Sequence, residues 1–184
     1  MTTMSHQGQI HQLQASYSVE QDRVLLRVST SDHAEYRFWL TRRFIQRLWE
    51  GLRHHLETRH RIAESDPKAR AALLEFMHQS ATAQVDFASP YQEDSETVTP
   101  LGREPILVTR ATLGVAPEQE ELVRLGLNPA EGEGLELTLD TQLMHGFCKL
   151  LAEAMSHAEW DLDLGFINFD PLPVLSEQGG QVLH

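Results

Sequence analysis

The chain has 184 residues, of which 41% are hydrophobic and 23% are charged, a composition typical of globular proteins rather than disordered or fibrous ones. Its length suits one core, so we expect residues 1–184 to form a single domain. No run approaches the roughly 20 apolar residues of a membrane-spanning helix and the start is polar, so we expect a cytoplasmic protein without membrane contact. Cys148 is the single cysteine, which excludes an internal disulfide.

The net charge of -12 is unevenly distributed along the chain. Residues 1–70 hold 11 Lys and Arg against 8 acids, whereas residues 71–184 hold 4 against 19. An acidic total argues against binding of long nucleic acids, because positive potential supplies most of that affinity. A local basic face in the first half remains compatible with this charge.

Three strands are predicted at the start of the chain. Residues 10–17 alternate loosely between apolar and polar side chains, and residues 23–29 and 36–40 alternate clearly. Short alternating runs separated by polar turn residues are typical of antiparallel pairs. Residues 8–41 are therefore predicted to form a three-stranded antiparallel meander.

Two helices and a loop are predicted next. Thr41 is a candidate cap for a helix to about His60, along which apolar residues recur at helical spacing. The segment Ser65–Pro67 is a helix-start signal for a second helix through about Ala81. Residues 88–104 are rich in Pro, Ser, Thr and acids and show no period, so they are predicted as a mobile acidic loop.

The second half repeats this order of elements. A strand is predicted at residues 106–115, followed by strands at 121–127 and 134–139 around a turn. Asp140 is a candidate cap for a helix through about Met155. The remaining residues, 160–184, are predicted to be an extended tail that straps over its own core or adds a strand to a sheet edge, in its own chain or a neighbour's.

A shift of 99 positions without a gap superposes the two halves, approximately residues 8–62 and 104–158. Twelve apolar positions and both candidate caps coincide. The matched strand positions are Val24, Leu26, Val28, Tyr36, Phe38 and Leu40 with Val123, Leu125, Leu127, Leu135, Leu137 and Leu139. Internal duplication explains this match, and so does the pattern common to any hairpin followed by an amphipathic helix.

The predicted fold class is α+β: two antiparallel β-meanders, each followed by a long amphipathic helix packed on one sheet face, with an extra helix between the halves. This order of elements resembles that of the Whirly single-stranded DNA-binding fold, in which sheets carry the binding surface. The resemblance lies in element order alone, since the chain carries no Whirly sequence motif. It implies single-stranded nucleic-acid binding as one alternative function.

The outer face of the first meander is the candidate binding surface. If the apolar residues face the helices, the period of two places Arg27, Arg37 and Trp39 on the opposite face. Arg and Trp are enriched where protein partners bind. The competing interpretations are that a loop or the tail covers Trp39, and that Trp39 stacks on bases.

Two Glu-x-x-His pairs, Glu57 with His60 and Glu75 with His78, have the spacing used in di-iron helical bundles. Such sites need further carboxylates from other helices, and this chain has strands in their place. Both glutamates lie beside apolar helix positions and are expected to point into solvent as ordinary surface pairs. No phosphate-binding loop, zinc spacing or nucleophile elbow is present, so no cofactor is expected.

The sequence therefore favours a protein-interaction or regulatory module that self-associates, as a homodimer or other homo-oligomer, through Arg27, Arg37 and Trp39. A small-molecule or metal-binding enzyme that uses the helix His and Glu residues is the first alternative. Single-stranded nucleic-acid binding is the second. Neither the partner nor the biological process follows from the sequence.

Overall fold

The computed structural model of the chain describes residues 3–5, 9–59, 65–83, 85–87, 89–93, 96–116, 119–160, 162 and 181–183. These residues form nine strands and three helices. The strands are β1 (Thr3–Ser5), β2 (Ile10–Ser18), β3 (Arg23–Thr30), β4 (Glu35–Leu40), β5 (Ile106–Leu107), β6 (Arg110–Ala116), β7 (Gln119–Asn128), β8 (Gly134–Leu139) and β9 (Gln181–Leu183). The helices are α1 (Arg42–Arg59), α2 (Pro67–Thr82) and α3 (Thr141–His157).

The described strands form two sheets. The first sheet has the order β5-β4-β3-β2-β9, and the second has the order β1-β8-β7-β6. An antiparallel meander forms the centre of each sheet, β2 to β4 in the first and β6 to β8 in the second. A long helix follows each meander, and α2 lies between the two halves in the chain. The structure confirms the predicted α+β class and order of elements.

The two halves exchange strands and helices. β1 precedes the first meander but pairs in parallel with β8, and β5 precedes the second meander but pairs in parallel with β4. The helices cross over as well, since α1 contacts β6 and α3 contacts β2. Each half therefore consists of four strands and a helix, and each supplies one strand of the other's sheet.

The 99-residue register has a counterpart in the strand pairing. Leu26 pairs with Phe38 in the first sheet, and Leu125 pairs with Leu137 in the second. All four of these residues lie in the core, with at most 3% of their surface exposed. The matched apolar positions of the sequence are therefore matched positions in the two sheets.

The orientation of the first meander agrees with the prediction. Phe38 is fully buried in the core that the two sheets share with α1 and α3. Its neighbours Arg37 and Trp39 lie on the other face and are half-buried. This alternation is the one that a period of two requires.

All three predicted helix starts are capped by the expected side chains. The Thr41 hydroxyl accepts from the Phe44 amide at 3.2 Å, and the Asp140 carboxylate accepts from the Leu143 amide at 2.8 Å. Asp66 accepts from the Lys68 amide at 3.2 Å, with Pro67 in the first turn of α2. Each bond satisfies an amide that has no partner within its helix.

The single strand predicted at residues 106–115 is wrong, because the chain changes sheets within it. Ile106–Leu107 belongs to the first sheet and Arg110–Ala116 to the second. At the crossing, the Val108 amide donates to the Trp39 carbonyl at 3.0 Å and the Thr109 amide to the Asn128 carbonyl at 3.0 Å. A continuous apolar pattern does not distinguish one strand from two on different sheets.

The predicted loop and tail are each described in part. Within 88–104, Val98 bridges to Ala34 beside the first sheet. Most of the tail lies outside the described residues, but its segment Gln181–Leu183 forms β9 beside β2. Among the described helices, none combines the length and the apolar character that a bilayer crossing requires.

Candidate functional site

The outer face of the first sheet carries two distinct rows of side chains. In one row Arg27 pairs across strands with Arg37. In the next row Leu25 pairs with Trp39, and Trp39 pairs with Leu107 of β5. Residues paired across strands point to the same face, so the sheet displays a cationic row beside an apolar row.

Glu35 neutralises the cationic row. Its side chain is only 4% exposed, and its carboxylate forms a 3.0 Å ion pair with Arg27 Nη2. Arg37 Nε also donates to Glu35, and the Tyr91 hydroxyl donates to its Oε2 atom at 2.8 Å. A buried carboxylate is stable when hydrogen bonds replace its lost hydration, which these three donors supply.

These contacts shift the pKa values of the acidic groups in opposite directions. Burial disfavours the charged form of Glu35, but hydrogen bonds from Arg37, Arg27 and Tyr91 outweigh burial and lower its pKa. Burial and the bond to Glu35 raise the pKa of the Tyr91 hydroxyl. At neutral pH the cluster therefore holds an ionised carboxylate and a protonated phenol.

A segment from the predicted acidic loop lies over part of this face. The Tyr91 ring stacks on the Arg27 guanidinium, whose central carbon is 4.0 Å from the ring centroid. The Gln92 amide donates to the Gln12 side chain at 3.2 Å, and Glu93 forms a 3.2 Å ion pair with Arg27. These contacts are with Arg27 and Gln12, whereas the covering loop considered from the sequence concerned Trp39.

The apolar row retains solvent exposure. Leu25 and Trp39 are half-buried, and Leu107 is 39% exposed. Arg37 borders the row with 32% of its side chain exposed, and its Nη1 atom donates to the Arg103 carbonyl at 3.3 Å. An indole and two leucines therefore lie on neighbouring strands of one face, and we call Leu25, Trp39 and Leu107 the Trp39 row.

A polar cleft of about 660 Å³ opens beside Glu35. It lies on the side of the cationic row that faces away from the Trp39 row. His11 and His33 line it together with Glu35, Glu93 and Tyr91. Its acidic groups are those that already bind Arg27, so the cleft adjoins the Glu35 cluster rather than forming a separate reactive centre.

The outer face of the second sheet differs in character. Arg124 and Glu136 form a 3.6 Å ion pair there, and Thr138 stands exposed at the position that matches Trp39. In the described part of this face, Arg124 and Thr138 stand at the positions that match Leu25 and Trp39.

The expectation that Glu57 points into solvent is wrong. Glu57 is 7% exposed and forms ion pairs with Arg53 at 2.8 Å and with Arg70 of α2 at 3.7 Å. Packing of α2 against α1 covers a carboxylate that helix periodicity alone places at the surface. Its proposed partner His60 lies outside the described residues.

The expectation of a surface pair at Glu75 and His78 is also wrong for the histidine. His78 is 6% exposed, and its Nδ1 atom lies 3.3 Å from Nδ1 of the fully buried His145 on α3. Glu75 instead accepts from Gln79 at 3.4 Å on the helix surface. Burial, followed by the nearby charge of Lys149, lowers the pKa of His78 to about 4.

Of the four candidate metal ligands, the structure describes Glu57, Glu75 and His78, and each contacts a different partner. Within the described residues, no three His, Cys, Asp or Glu side chains are arranged to hold a metal ion. The structure instead brings together Arg27, Arg37 and Trp39 on one face, with Glu35 and Tyr91 as partners that sequence reasoning did not nominate. No protein-family model, curated protein or solved structure matches the chain.

Proposed function

We propose that the protein is a protein-interaction module whose partner contacts the Trp39 row on the outer face of the first sheet. The supporting observation is the cross-strand row of Leu25, Trp39 and Leu107, which leaves apolar surface exposed beside Arg37. Apolar side chains surrounded by polar groups are typical of the centre of a protein interface.

The chemistry of the row suits a protein partner. Trp and Arg contribute most of the binding energy at many protein interfaces, because each combines a large contact area with directional polar groups. The backbone of Trp39 is paired on both sides, with Leu25 and Leu107, so binding would not require this part of the chain to become ordered.

The charge distribution favours a protein over a nucleic acid. Arg27 and Arg37, two cations of the face, already bind Glu35, which reduces their capacity to neutralise phosphates. A net charge of -12 adds long-range repulsion of any polyanion. A steep loss of binding with added salt would be the signature of the nucleic-acid alternative.

The experiment is affinity capture followed by titration of the partner identified, which includes a second copy of this chain. Replacing Trp39→Ala together with Leu107→Ser should weaken binding at least about tenfold, because it removes the centre of the surface. The matched control is Thr138→Ala, at the equivalent position of the second sheet. Thermal unfolding of each variant checks that the fold is retained. Equal affinity of the double variant and the parent would refute the proposal.

A further inference from the structure

Among the described residues, β6 is an edge strand, whereas its counterpart in the first sheet, β2, has a neighbour on both sides. The first sheet continues past β2 to β9, whereas among the described residues the second sheet ends at β6. β2 and β6 are counterparts because each is the first strand of its meander and pairs antiparallel with the next. In the first sheet, the edge that corresponds to β6 therefore already accepts an additional antiparallel strand, β9.

Matched positions show the effect of the additional strand. Leu13 pairs with Val28 and Ala111 with Leu127, while Ala15 pairs with Leu26 and Leu113 with Leu125. The two β2 residues, which lie beside β9, are at most 3% exposed. Their β6 counterparts, Ala111 and Leu113, are only half-buried, and Val115 is 49% exposed.

The edge also lacks the features by which proteins protect such strands. Natural edges are blunted by charged residues, prolines, bulges or short length. Along its seven residues, β6 carries one charge, Arg110, at one end, and its register shift lies at the other end, between Val115 and Ala116. The segment Ala111–Val115 is regular, uncharged and free of proline.

We propose that β6 pairs antiparallel with β6 of a second copy of this chain, in a two-fold symmetric dimer centred on Leu113. This register places Leu113 opposite itself and Ala111 opposite Val115, so large and small apolar side chains alternate across the pair. On the other face Thr112 meets Gly114, and no like charges oppose each other. The strand is therefore complementary to itself, which a symmetric interface requires.

Electrostatics separates this dimer from a charge-driven one. Two copies that each carry a net charge of -12 repel each other at long range, and salt screens that repulsion. The β6 dimer, which is held by backbone hydrogen bonds and apolar contacts, should therefore tighten as salt is added. Association of the basic half of one copy with the acidic half of another would weaken instead.

Sedimentation equilibrium measures the dimer directly, since the monomer mass is 20.9 kDa. The variant Thr112→Lys with Gly114→Lys places lysine opposite lysine twice in the dimer. Both positions are exposed, and a Cβ at Gly114 meets no atom within 4 Å. Gly114 pairs with Arg124 within the chain, and so does Thr138, the site of the control below, so thermal unfolding of both variants is compared to separate folding from dimerisation. We expect the dissociation constant to rise at least about tenfold, because like charges directly opposite each other destabilise strand pairs.

A charge-swapped variant completes the test. Thr112→Glu with Gly114→Glu should also dimerise at least about tenfold more weakly than the parent, but an equimolar mixture with the lysine variant should form a heterodimer. The control, Thr138→Lys with Ala130→Lys, adds the same charge at exposed positions away from β6 and should dimerise more tightly than the parent. A parent that stays monomeric at high salt, a lysine variant that still dimerises like the control, or a mixture without heterodimer would each overturn the proposal.

Discussion

Glu153 is a carboxylate that α3 holds largely away from water. Its Oε2 atom is buried and finds no hydrogen-bond partner in the described part of the chain. Burial raises its pKa to about 7, and the nearby charge of Lys149 opposes that shift only in part. The folded protein therefore binds a proton at Glu153 over a pH range in which an unfolded glutamate, with a pKa of about 4.5, has lost it.

The sign of the resulting pH dependence follows from linkage. A raised pKa in the folded state stabilises the protein below about pH 4.5, and that stability is lost as the pH rises to about 7. We expect Glu153→Gln to raise the melting temperature at pH 8 and to change it little at pH 4.5. Calorimetry at both pH values measures this difference. The exposed Glu50→Gln serves as the control, and an equal effect of Glu153→Gln at both pH values would contradict the assignment.

His78 gives a pH dependence of stability that is opposite in sign to that of Glu153. Its pKa of about 4 lies below its unfolded value of 6.5, so its contribution to stability is fully present above pH 6.5 and is lost as the pH falls towards 4.

The sequence predicted neither the burial of Glu153 nor that of His78. The burial of His78 depends on packing of α2 against α3, and helix periodicity does not report which neighbour covers a given face.

The segment that carries Tyr91 covers part of the outer face of the first sheet. The sequence predicted a mobile loop at 88–104 from its lack of period and its acidic composition. In the structure Tyr91, Gln92 and Val98 each bond to residues of the first sheet or its β3–β4 turn. Composition does not identify an anchor of this kind, because Glu35 and Tyr91 lie 56 residues apart.

Two substitutions of Tyr91 test the anchor. Tyr91→Phe removes the hydrogen bond to Glu35 but keeps the ring over Arg27, and should lower the free energy of unfolding by about 1.5 kcal/mol. Tyr91→Ala also removes the cation–π contact and should cost about 1 kcal/mol more. Urea titration measures both values. If neither substitution changes stability, the segment is mobile as the sequence predicted and does not brace the face.

The elements themselves were predictable because their signals are local. Alternation located β2, β3 and β4, and the side chains of Thr41, Asp66 and Asp140 marked where the helices begin. What the sequence could not show was which sheet each short strand joins. β1 pairs through three residues and β5 through two, and nothing in these short segments specifies a partner strand more than 60 positions away.

At the scale of the whole molecule, the strand exchange couples the two halves. Removing the second half would leave β4 without β5, and removing the first would leave β8 without β1. The contacts of α3 with β2, and of α1 with β6, add to this dependence. Buried residues from both halves also belong to one continuous core. We therefore expect the halves to unfold together, even though the sequence reads as two similar units.

Two probes in different halves test this cooperativity. Trp39 and Trp49 report on the first half, provided that Trp160→Phe removes the third indole. Cys148 reports on the second half, because it is fully buried on α3 and burial raises its thiol pKa to about 12, which keeps it unreactive until that helix is exposed. Indole fluorescence and thiol labelling should give coincident urea transitions, as a two-state protein requires.

A Cys148→Ser variant corrects for non-specific labelling. Thiol exposure at a urea concentration that leaves the fluorescence native would show that the halves unfold separately, and that the exchanged strands do not couple them.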